Sequence, residues 1–178
     1  MKDATEIFSS FRHTADVWST ALAVYTPEQF SRKPATDEWS IGQVYFHLVV
    51  GTERFHLAHI RRCLEGDDAT IGGRKSIPGR ILFLIGGFPR RKIHVPPSPQ
   101  YTPRQPTNTE MQKGMVHLVG LMEGICSSVS GAPTDRKSTH PRLGALNALE
   151  WYHLIEMHFR HHLRQKARLD GFLLRAAA

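Results

Sequence analysis

Cysteine is scarce: the 178 residues contain two, Cys63 and Cys126, and neither stands in a CxxC spacing. That argues against a disulfide framework and against a thiolate zinc site, and leaves each as a small apolar residue on a helix. Long apolar runs are missing as well. The longest, residues 81–85 followed by two glycines and Phe88, falls far short of the ~20 residues that a membrane-spanning helix needs. Lys2, Asp3 and Glu6 stand where a secretory leader would carry apolar residues, so the chain is read as cytoplasmic, with no membrane partner. No window shows the sustained period-2 alternation of strands, which makes the expected class all-α. Acidic residues are outnumbered, 16 against 23 Lys and Arg, for a net charge of +7. Such a charge favours acidic partners in general.

What is present describes a globular domain. Apolar residues make up 40% and charged residues 22%, and the length suits one domain, 1–178, able to bury a core without covalent staples. Four stretches carry helical periodicity. The first is predicted over about 5–24, with Ile7, Phe11, Val17, Trp18 and Leu22 on its stripe. Thr26 and Pro27 then read as an N-cap and first helical residue of a short turn through Phe30. The second runs from an N-cap at Ser40 to Glu65, before Gly66. The third covers about 108–129, capped by Thr107 or Asn108. The fourth starts at Asn147, with Glu150 three residues on as a capping box, and ends near Leu169 before Gly171. Between the second and third lies an irregular span, 67–106, rich in Pro and Gly, whose one ordered piece is a short helix at 79–85. A connection of that length in a bundle is a crossover or a functional lid. The expected fold is therefore a four-helix bundle with a long crossover between its second and third helices.

The histidines carry the chemistry. There are 11, and four fall in the segment WYHLIEMHFRHHLRQ of the last helix. At about 100° per residue, Trp151, Ile155, His158, His162 and Leu169 share one narrow stripe. His153 projects to the opposite side, and His161 to the edge. Two imidazoles four residues apart on one face converge on one point and form a helical metal chelate. A lone His in an apolar stripe is usually a satisfied core residue, and HxxxH arises by chance in histidine-rich chains, so further ligands are required. His47, at the edge of the face made by Ile41, Val44, Leu48 and Phe55, is the best candidate. His117, among Val116, Leu118 and Val119, is its rival, while His56 is expected to project largely away. Three imidazoles and an open fourth position describe a catalytic rather than a structural site, for Zn²⁺, Ni²⁺ or Fe²⁺.

The stretches EWSIGQVYFHLVVG and HPRLGALNALEWYHLIEMHFRHHLRQ resemble the DinB/YfiT-like superfamily, in its branch of largely unknown function. The resemblance runs over essentially the whole chain. It implies a four-helix bundle, commonly a homodimer, that holds one divalent metal through His47, His158 and His162. It also implies a class of chemistry: some members are metal-dependent transferases using a low-molecular-weight thiol. The expected function is accordingly a thiol S-transferase acting on small electrophiles. The alternatives are a metal-binding or stress-associated protein without turnover and a metal-dependent hydrolase. Glu156 is expected to be a solvated charge rather than a general base, and Gln165 and Arg54 to lie near the inward faces, where they could orient a ligand. The basic residues are scattered over the crossover and helix ends, without any nucleic-acid-binding motif. Their proposed use is to attract a small anionic substrate to the site mouth.

Overall fold

The computed structural model describes residues 2–66, 70–89 and 102–176, and it is an all-α bundle carrying one small sheet. Helix α1 (Ala4–Leu22) starts at Asp3, whose carboxylate accepts from the Glu6 amide while Glu6 returns the bond. Its buried residues, Ile7, Phe11, Thr14, Ala15, Trp18 and Leu22, repeat at three and four and face the bundle. Helix α2 (Pro27–Ser31) is the short turn after the Thr26 cap. Helix α3 (Ile41–Gly51) begins at the expected Ser40 cap, continues through a π-helical turn (Thr52–Leu57) and resumes as α4 (Ala58–Glu65), which Gly66 ends. Helix α5 (Ile77–Ile85) lies in the crossover, α6 (Asn108–Ser130) is capped by Thr107, and α7 (Ala148–Arg175) closes the bundle. Residues 67–69 and 90–101 of the crossover fall outside the described residues. Among the described residues, no helix is long and apolar enough to cross a membrane.

The core lies where α1 packs against α6 and α7, and α3 against the same pair. Phe11 meets Phe159 edge-on at 5.1 Å, and Trp18 meets Tyr45 at 5.0 Å. The polar tips are satisfied: the Tyr45 hydroxyl donates to the Trp18 carbonyl at 2.7 Å and the Tyr152 hydroxyl to the Met122 carbonyl at 2.8 Å. Cys63 is buried and Cys126 half-buried, both on helices as expected.

Two features depart from expectation. Strands β1 (Thr70–Ile71), β2 (Arg136–His140) and β3 (Gly144–Asn147) pair antiparallel in that order. Strands this short are defined by their pairing partner rather than by alternation, so periodicity does not find them. The sheet aims α7, because Asn147 both pairs with Lys137 and caps the helix by accepting from the Glu150 amide. In addition, α7 does not stop before Gly171 but runs through it to Arg175. Leu169 and Leu173, one turn apart, are both buried there. A mid-helix glycine costs about 1 kcal/mol, and burying a leucine returns about 1.5–3 kcal/mol. Helix α5 docks through Leu82 and through Gly79, where an added Cβ would lie 2.2 Å from the Leu143 carbonyl oxygen. Only a residue without a side chain permits that approach.

Candidate metal centre

The start of α3 is tied down firmly. Ser40 caps it, and the Ser40 hydroxyl donates to Gln105 at 2.6 Å while the Gln43 amide nitrogen donates to the Pro103 carbonyl at 2.6 Å. Two turns later α3 presents His47 toward α7. Helix α7 presents His158 and His162 from one face, a turn apart, as the stripe predicts.

Three imidazoles meet here. The Nε2 atoms of His47 and His162 each lie 3.1 Å from His158 Nε2, and all three ligand atoms fall within 4.8 Å of one another. A tetrahedral zinc ion with Zn–N of about 2.0–2.1 Å would hold its nitrogens about 3.3 Å apart, so the spacing suits one cation. Proton bookkeeping points the same way. The Gln165 carboxamide oxygen stands 2.8 Å from His162 Nδ1, so that nitrogen carries the proton and Nε2 turns its lone pair to the centre. A single proton on His158 Nε2 cannot serve both neighbours at once, whereas a cation accepts three lone pairs together.

Burial keeps these rings neutral. Loss of solvation pushes His47 down to about 4 and His162 to about 3, and it holds His158 well below the usual histidine range, where the adjacent His162 and His47 add to the effect. At pH 7 their lone pairs are therefore free of protons and ready to ligate. Among the described residues, the group of three or more candidate ligands that could hold a metal ion is this triad, and it includes no carboxylate or thiolate.

The remaining sequence candidates sort clearly. His117 is exposed and lies 3.9 Å from Glu53, so it is no rival to His47. Arg54 is exposed on the π-helical turn, while Gln165 does orient a ring of the triad. Glu156 is not solvated: it is buried and accepts two bonds from Arg160, at 2.7 and 3.1 Å. Helix α5 covers that face of α7, with Phe83 6.1 Å from His153, which is also buried. His56 is not turned away either. It is buried, and its ring lies 5.3 Å from that of His158. A π-helical turn advances by i→i+5 and rotates the following side chains backward relative to the α-helical count. The 100° rule therefore misplaces His56 and Arg54, which stand on that turn.

Two aromatic neighbours escaped the sequence reading. Trp39, immediately before the Ser40 cap, stands 5.3 Å from His47, and Phe88, beyond the end of α5, stands 6.1 Å from His158. The Trp-Ser pair opening α3 was a signal for the first; nothing local marks the second. A surface hollow of about 580 Å³ beside Thr5, Cys126 and Ser130 belongs to a different part of the molecule.

This geometry meets an independent finding from comparison with known proteins. No curated protein matches the chain. The family model for the DinB superfamily, however, matches residues 10–165, beginning in α1 and ending on Gln165, the residue that orients His162. The match takes in α3, the crossover and the whole histidine face of α7, and the chain belongs to the DinB superfamily.

Proposed function

We propose that His47, His158 and His162 hold one divalent cation, and that the protein uses it to transfer a low-molecular-weight thiol to a small electrophile. The observation that carries this reading is the convergence of three neutral Nε2 atoms, with one ring locked by Gln165. A cation bound there would convert a thiol to thiolate near neutral pH. The thiol proton would pass to solvent, the sulfur would form a bond to the electrophilic carbon, and the leaving group would depart with the bonding pair.

The chain's own residues favour this over hydrolysis. A carboxylate base for activating water would fall to Glu156 on the same helix, and that carboxylate is committed to Arg160. A thiol that loses its proton on binding needs no such partner. Three imidazoles suit Zn²⁺, Ni²⁺ or Fe²⁺ alike, so the donor set does not choose the metal. The reading also includes a homodimer, as the family resemblance implies, a place in the cytoplasm, and a small anionic substrate, supported by the net charge of +7.

The test has two stages. Elemental analysis of the purified protein should give about one metal per chain. Thiol consumption against a panel of electrophiles should then depend on that metal and cease with a chelator. Consumption that ignores the chelator overturns the enzymatic reading, and metal without any turnover would favour a binding protein instead.

A further inference from the structure

Two aromatic rings flank the triad, from segments that supply none of its nitrogens. Trp39 lies half-buried beside His47 at 5.3 Å. Phe88, also half-buried, lies 6.1 Å from His158 and 4.9 Å from His161. The His47 and His158 rings are themselves 4.9 Å apart, so Trp39, His47, His158 and Phe88 form a row with an aromatic ring at each end.

The position of Phe88 is enforced from α7. Glu156, 2% exposed, accepts from Arg160 Nε at 2.7 Å and from Arg160 Nη2 at 3.1 Å. The same Nη2 donates to the Gly86 carbonyl at 2.7 Å, at the residue that ends α5. Gly87 lies against the guanidinium, where an added Cβ would come within 3.3 Å of Nη1. The buried carboxylate holds the guanidinium through two charge-assisted hydrogen bonds, while the outer face of Arg160 stays exposed. Two residues beyond Gly86 the chain delivers Phe88 to the triad.

Ligand sites are lined mainly by apolar and aromatic groups, with a few polar groups fixing orientation. We propose that Trp39 and Phe88 are the walls of the substrate mouth and select ligands whose metal-binding atom carries a flat apolar group, with Arg160 as the positioning residue for Phe88. This inference rests on the reading of the triad as an open metal centre. It narrows the electrophile or thiol to one bearing an aromatic or similarly planar substituent.

The probes are imidazole and 4-phenylimidazole, titrated into the Co²⁺-loaded full chain and followed by visible absorption. The wild type should bind the phenyl compound at least tenfold more tightly, on the order of three- to tenfold per aromatic contact. Phe88→Ala and Trp39→Ala should each reduce that ratio by about three- to tenfold, with the imidazole Kd kept within about twofold. Arg160→Met should lower the ratio as Phe88→Ala does, again sparing imidazole, which a general loss of structure would not. A ratio unchanged in both alanine variants overturns the inference while leaving the metal centre intact. Failure of imidazole itself to alter the spectrum is a different result, which removes the open coordination position and the inference with it. Should Trp39→Ala fail to fold, the Phe88→Ala ratio decides alone.

Discussion

Two groups of histidines lie within one bundle, and their nitrogens have opposite fates. At the triad, His47 and His162 direct Nε2 atoms at His158 Nε2 across 3.1 Å, and an outer contact from Gln165 serves to fix a ring. Around Trp151, by contrast, His59 stacks flat on the indole at 4.4 Å and pairs its Nδ1 with Ser138, while His140 Nδ1 accepts the amides of Arg142 and Leu143 at 3.1 and 3.2 Å. These imidazoles are spent on local structure: one pins α4 to β2, the other closes the β2–β3 turn. His56 stands between the groups, 5.3 Å from His158 and 5.9 Å from Trp151. The comparison teaches that histidine count and burial do not make a metal site. What separates the groups is whether lone pairs converge with nothing else to accept them.

The sharpest way to break the comparison is to remove one residue from each side. His158→Ala should abolish stoichiometric metal in elemental analysis, because two imidazoles from different helices remain where three converged. Retained metal would show that the triad is not the centre. Gln165→Leu should keep the metal but weaken it by about 10–100-fold in a chelator competition, the usual effect of losing the partner that orients a ligand histidine. His59→Ala should do the reverse: metal content unchanged, stability down by about 1–2 kcal/mol in urea unfolding, from a lost hydrogen bond and a lost stacked pair.

A further test concerns acid. Burial pushes His56 down to about 3 and His140 to about 4, against an ordinary value of 6.5. Between those values the unfolded chain binds protons that the native chain refuses, so stability rises with pH across this window. The contribution is fully present above about pH 6.5 and is lost as the pH falls toward 4. Urea midpoints of the metal-free protein at pH 7 and pH 5 should therefore differ, and His56→Phe should flatten the slope. An equal slope in the variant would show that His56 does not contribute to it.

Several parts of this arrangement are written locally and are legible as such. The Ser40 and Asn147 caps, the Thr26–Pro27 start and the HxxxH stripe depend on residues within one or two turns of each other, and each stands where spacing puts it. His47 required more: the α-helical count placed it only at the edge of a face, with His117 competing, and the family motif favoured it. Glu156 lies on the far side of the helix from His158, which suggests water, whereas on that side Arg160, its partner, also reaches Gly86, a residue some seventy positions earlier in the chain. His56 departs from the periodic count because that count assumes i→i+4 geometry throughout.

By itself, then, the sequence determined the long helices, their capped starts, the all-α class and the pairing of His158 with His162, since all of these are set by short-range hydrogen bonds and by the pitch of a helix. Tertiary structure alone decided that His47 meets His158 across a separation of 111 residues, that His56 turns inward, and that Trp39 and Phe88 stand at the two ends of the row. Those outcomes depend on how whole helices pack and on a widened turn in one of them. Contact between distant segments is chosen by the shared burial of their faces, which no local spacing encodes.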